Sequence, residues 1–157
     1  MRIEKGKTLR RGFTALFCLW GGLAQASPFG ASAADLVLEP GEEGAVEISI
    51  STPAGTQIYR DRVEVMVLDN GGLAVGPPQF PPGFLGVDTV TGQDRELYEI
   101  DMPPILLPLG PIAEVGEFGL VLRVSWQGCK GPVCYLPEQV DLHPRGIVSE
   151  PSRARGL

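Results

Sequence analysis

Gln57-Ile58-Tyr59-Arg60-Asp61-Arg62-Val63-Glu64-Val65-Met66-Val67-Leu68 lies inside Thr56–Asn70, the longest stretch of the chain free of proline and glycine. A helix has room to form here, yet the pattern is not helical. Apolar residues at 63, 65 and 67 recur with a period of two and are β-branched, which predicts a half-buried strand running through to Leu68. Asn70-Gly71-Gly72 then reads as a turn. Outward on either side the alternation returns in Ala45–Ser51 and in Phe118–Trp126, with Val140-Asp141-Leu142 as a last short strand. Leu97–Met102 and Ile105–Leu109 are weaker strands, parted by Pro103-Pro104, and Gly76–Gly86 reads as loop. Proline and glycine make up 36 of 157 residues and recur at short intervals. Short strands broken by turns, with no internal repeat and no linker, predict a single all-β domain folded as a β-sandwich.

The leading segment is different in kind. Arg2, Lys5, Lys7, Arg10 and Arg11 precede the apolar run 12–24, which is followed by the small residues Ala24-Gln25-Ala26 and Ala31-Ser32-Ala33-Ala34. A basic head, a short apolar middle and small residues describe an export signal over residues 1–34, cut after Ala26 or near Ala34. The domain is then expected over 35–148, starting at Asp35-Leu36-Val37-Leu38, with a frayed tail over 149–157. Removing five basic residues and one acid leaves eight basic against eighteen acidic residues, a net charge near −10. So acidic a domain is a poor ligand for nucleic acid or anionic lipid. Export predicts a periplasmic protein in an oxidising space, where disulfides persist.

Of three cysteines, Cys18 lies in the leader, which leaves Cys129 and Cys134 in Trp126-Gln127-Gly128-Cys129-Lys130-Gly131-Pro132-Val133-Cys134-Tyr135-Leu136-Pro137. Lys130–Val133 can turn the chain, and the spacing suits a disulfide across a hairpin mouth. Three readings stay open. A structural clip is one, although a ring of about six residues constrains the unfolded chain by only about 2 kcal/mol. A copper or zinc site is another, but His143 is the single histidine and Met66 and Met102 bear no evident spacing to the pair. A working dithiol that exchanges electrons with a partner is the third. Lys130 is the one cation close in sequence, so the thiols have little to favour their ionised form.

At these residues the sequence resembles a known family, the N-terminal periplasmic domain of the thiol:disulfide interchange protein DsbD. Trp126-Gln127-Gly128-Cys129, then Cys134-Tyr135 and Pro137, resemble its redox motif. Ile58-Tyr59-Arg60 resembles an early core strand, and Pro82-Gly83, Asp88, Gly92 and Leu97-Tyr98 follow in order where its cap loop and next strand lie. The resemblance spans about residues 56–142 and implies an immunoglobulin-like sandwich. It further implies electron transfer between a membrane electron-conduit protein and periplasmic thioredoxin-fold proteins, which serve disulfide isomerisation or cytochrome c maturation, with no cofactor and no metal. Cys134 takes the attacking role and Cys129 the resolving role; Asp88 and Val90 belong to the cap, and Tyr59 and Tyr135 flank the pair. The cysteines stand one residue closer than is usual in the family, and Val90 replaces a lid aromatic, with Phe84 or Leu85 as substitutes. The family's membrane and C-terminal thioredoxin domains have no counterpart in this sequence, so separately encoded partners are expected. The rival functions are a sandwich module with an inert bridge and a copper chaperone.

Overall fold

The computed structural model describes residues 27–88, 90–100 and 102–150; most of the segment read as an export signal, residues 1–26 with Cys18, and the tail beyond Glu150 lie outside the described residues. Fourteen strands are present among them and no α-helix: β1 Gly30–Ala33, β2 Leu36–Leu38, β3 Gly44–Ser51, β4 Gln57–Tyr59, β5 Glu64–Asp69, β6 Phe84–Val87, β7 Asp94–Tyr98, β8 Ile105–Leu109, β9 Gly116–Gly119, β10 Val121–Trp126, β11 Gly128–Lys130, β12 Val133–Cys134, β13 Glu138–Leu142 and β14 Arg145–Val148. They form sheets in the orders β1-β3-β8, β13-β10-β5, β12-β11-β4-β7-β6 and β2-β14-β9. All pairings are antiparallel except β2 with β14.

The core follows from the alternation. Val46, Ile48 and Ile50 of β3, Ile105, Leu107 and Leu109 of β8, and Leu122, Val124 and Trp126 of β10 are all buried in one cluster with Ile58 and Tyr98. Their strand neighbours on the other face are more exposed. Each such aliphatic side chain contributes roughly 1.5–3 kcal/mol by leaving water, and the facing layers make the sandwich.

Several strand boundaries differ from the sequence reading. Gln57–Leu68 is two strands in two sheets, because a tight helical turn, Arg60–Arg62, interrupts it. The charged triplet cannot enter the core, so the chain lifts it to the surface: Val63 N–H closes the turn on Arg60 C=O at 3.3 Å, and Arg60 lies over the Phe80 ring at 3.9 Å. Phe118–Trp126 is likewise split, at buried Leu120, whose N–H bonds Pro144 C=O rather than a strand neighbour. Phe84–Gly86, expected in a loop, belongs to the edge strand β6, and β14 follows the strand expected to be last. The fold also reaches back past Asp35: β1 pairs with β3 from Gly30↔Ser51 to Ala33↔Ile48.

Candidate functional site

At Gln127 the chain leaves one sheet for another. β10 runs between β5 and β13, whereas β11 pairs with β4 through Gly128↔Ile58 and Cys129↔Gln57. Gly128 makes the crossing possible. A Cβ there would collide with the Phe29 ring, so the ring rests on bare backbone. Phe29 also meets Tyr135 edge-on, with centroids 5.5 Å apart and planes at 81°. Gln127 Nε2 donates to Tyr135 C=O at 3.2 Å, so the return strand is tied to the point where the chain crosses.

The hairpin closes over a two-residue loop, Gly131-Pro132, between the paired residues Lys130 and Val133. Gly131 has φ +55°, and proline holds φ near −65°; that order of signs belongs to a II′ turn, which matches strand twist. Cys129 then faces Cys134 directly. Tyr135 N–H bonds Gly128 C=O at 2.9 Å, which leaves the cysteines at a non-hydrogen-bonded position, where strands approach closest. Their Cα atoms are 3.9 Å apart and the two sulfurs are bonded. The two residues differ in access: Cys129 is 4% exposed, while Cys134 lies on the exposed edge strand.

Beneath the pair is a second, small cluster of Tyr59, Leu97 and Cys129 on the outer face of the five-stranded sheet. Register explains it. Tyr59 sits opposite Leu97, and Cys129 opposite Gln57, two residues along the same face. Tyr59 donates its hydroxyl hydrogen to Asp88 Oδ1 at 3.0 Å, so towards Cys134 Sγ, 3.6 Å away, it presents a lone pair.

Asp88 is the first residue of the β6–β7 loop and is 3% exposed. It organises that loop itself. Oδ1 accepts from Val90 N–H at 2.8 Å and Thr91 N–H at 3.4 Å, and Oδ2 accepts from Thr91 Oγ1 at 2.9 Å. Its backbone bonds Gln93 C=O and Gly92 N–H, the latter residue at φ +72°. The Val90 N–H bond, aided by Thr91 and Tyr59, holds the Asp88 carboxyl below the ordinary carboxylate value, against the opposing effect of burial. Burial, then the bond to Asp88, pushes the Tyr59 phenol above its ordinary value, so it stays protonated at neutral pH. Arg95 Nε lies 3.5 Å from Asp88 Oδ2, and its Nη1 bonds Asp61 Oδ2 at 3.2 Å.

The structure thus gathers Cys129, Cys134, Tyr59 and Asp88 in one site. Val90 contributes its N–H, while the residue itself is 56% exposed. Phe84 packs over Gly86 of its own strand. Tyr135 stands with Phe29 behind the hairpin. His143 lies between β13 and β14, and among the described residues no cluster of three or more His, Cys, Asp or Glu could hold a metal ion. Phe29, Thr91 and Arg95 were not legible as site residues. Phe29 lies between the two runs of small residues within the segment read as leader, and Thr91 and Arg95 carry no motif of their own.

An all-β sandwich with a cross-strand disulfide at a hairpin end, one cysteine buried and the other exposed beside a carboxylate-ordered cap, has the form of a thiol-exchange domain. The chain belongs to the family described as thiol:disulfide interchange protein DsbD, N-terminal, which matches residues 27–144. Among solved structures it is similar to the reduced DsbD N-terminal domain of Neisseria meningitidis, with TM-score 0.51, 21% identity, and 76% of this chain and 86% of that one covered. It is also similar to a structure of the complex between the DsbD N-terminal and PilB N-terminal domains of Neisseria meningitidis, with TM-score 0.49, 18% identity, and 78% and 87% covered. The first likeness shows the immunoglobulin-like fold. No curated protein matches the sequence.

Proposed function

We propose that this chain is a periplasmic electron-transfer domain that reduces the disulfides of thioredoxin-fold partners and is itself recharged by a membrane electron-conduit protein. The observation that carries the reading is the unequal burial of two directly bonded cross-strand cysteines. In the reduced state Cys134, exposed and next to Tyr59 Oη, is the sulfur a partner can reach. Its thiolate attacks one sulfur of the partner disulfide; that bond breaks and the released partner thiolate takes up a proton. Cys129 then gives up its proton and attacks Cys134 Sγ. The Cys129–Cys134 bond forms, and the second partner thiol leaves protonated. Two electrons and two protons pass to the partner, and the same steps in reverse recharge the domain.

The surroundings support a guarded nucleophile. With the Tyr59 hydrogen committed to Asp88, its oxygen accepts from the Cys134 S–H and favours the thiol. The ionised Asp88 carboxylate acts in the same direction. Reactivity then rises when a docking partner disturbs the cap. Export as a soluble periplasmic protein is part of this reading, with the cut after Ala26. A cut near Ala34 removes β1 and Phe29, both built into the fold.

Replacing Cys129 with Ala tests the mechanism. The variant should accumulate mixed disulfides through Cys134 with periplasmic thioredoxin-fold proteins. A folded Cys129→Ala protein that traps none of them under reducing flux refutes it.

A further inference from the structure

Asp88 poses an electrostatic problem that the exchange mechanism does not solve. An ionised carboxylate, 3% exposed, stands one tyrosine hydroxyl away from the sulfur that must become an anion. Like charges so placed oppose each other strongly in a poorly solvated site. The surrounding elements carry these charged and titratable groups near this spot. Tyr59 is on β4, Asp61 on the turn after it, Asp88 at the cap, Arg95 and Glu96 on β7, and Lys130 on the hairpin. Glu96 is turned away, its carboxylate accepting from Gly83 N–H at 2.7 Å. Lys130 is exposed on its strand. Arg60 is engaged with Phe80. Arg95 is the cation that faces inward. It reaches Asp88 Oδ2 at 3.5 Å and Asp61 Oδ2 at 3.2 Å, and its guanidinium lies over the Tyr59 ring at 5.1 Å. One side chain therefore reaches the carboxylate, the ring of the tyrosine whose hydroxyl contacts the sulfur, and the turn that leads away from β4.

We propose that Arg95 is the counter-charge of this site, offsetting at Cys134 Sγ the field cast by Asp88 and so setting how readily Cys134 becomes a nucleophile. Arg95 is a positioning residue: it acts on Asp88 and Tyr59 and does not reach the sulfur. The proposal rests on the exchange reading for its biological meaning, but its physical content stands apart from any partner.

The test is the pH dependence of iodoacetamide alkylation of the fully reduced protein, read at the peptide carrying Cys134 by mass spectrometry. Arg95→Gln and Arg95→Met, two neutral side chains of comparable reach, should each raise the midpoint by about half a pH unit or more. Arg95→Lys keeps the charge and should stay near the parent value. Asp88→Asn should lower the midpoint, and Arg95→Gln with Asp88→Asn together should fall between the two single variants. Midpoints in the neutral variants equal to the parent's overturn the proposal. So does an equal shift in Arg95→Lys, which would mark a purely structural role. Because alkylation needs no protein partner, a shifted midpoint alongside failed mixed-disulfide trapping would sink the exchange reading and leave the counter-charge standing.

Discussion

At the scale of single residues, the site depends on one position that has no room for a side chain and on one carboxylate that orders the cap. Gly128 is bare because the Phe29 ring occupies the place of its Cβ. Gly128→Ala should therefore destabilise the protein by about 1–3 kcal/mol through overpacking, measured by urea unfolding, and Phe29→Ala in the same chain should recover part of that loss. Asp88 carries a pH signature. Its folded-state carboxyl titrates below the unfolded one, so the stability it lends is fully present above an ordinary value near 4 and drains away as acid protonates the folded group. Unfolding curves should show the parent losing an acid-dependent component that Asp88→Asn lacks, the two converging at low pH. The sequence made Cys129, Cys134, Tyr59 and Asp88 readable because a local motif and an ordered run of matching residues carried them. Phe29 and Arg95 were opaque for a physical reason. Their importance comes from partners 99 residues away in one case and on a neighbouring element in the other, and neither alters a local pattern.

At the scale of elements, the alternation of Ala45–Ser51 announced β3 with nearly the right bounds, since one face of it is packed and the other is not, whereas Ile105–Leu109, an apolar run with no alternation and a weaker signal, is β8. The same signal misled at Gln57–Leu68. Period two persisted on both sides of Arg60–Arg62, and only the cost of burying that charged triplet forces the break. The β6 strand was hidden for another reason: Phe84, Leu85 and Val87 all keep substantial exposure, so no buried face imposes alternation there. The redox hairpin has its own elementary requirement in Gly131, at φ +55°. A β-branched residue in that left-handed region is strained, so Gly131→Val should cost about 1–2 kcal/mol and slow reoxidation of the reduced pair, followed by thiol quenching over time. At the other end of the chain, β1 is a working part of its sheet. A protein beginning at Asp35 should unfold at lower urea than one beginning at Ser27, and intact mass of the exported protein should place its first residue at Ser27.

At the scale of the whole molecule, the main core and the sulfur site lie on opposite faces of one sheet. Ile58 and Tyr98 point into the large cluster, and Tyr59 and Leu97, their immediate neighbours, point into the small one. The disulfide closes a short ring and bridges no distant strands. Reduction should accordingly lower unfolding stability by no more than about 2 kcal/mol, with the sandwich intact, as compared by urea titration with and without reductant. A loss several times larger would make the bond a structural clip and remove the physical basis for exchange.

Because residues 97 and 98 face opposite ways, each answers to a different master. One is anchored in the deep packing of the sandwich, the other in the shallow patch beneath the sulfurs. Substitution of the lid, its acid and its cation can therefore proceed while the chassis underneath goes untouched.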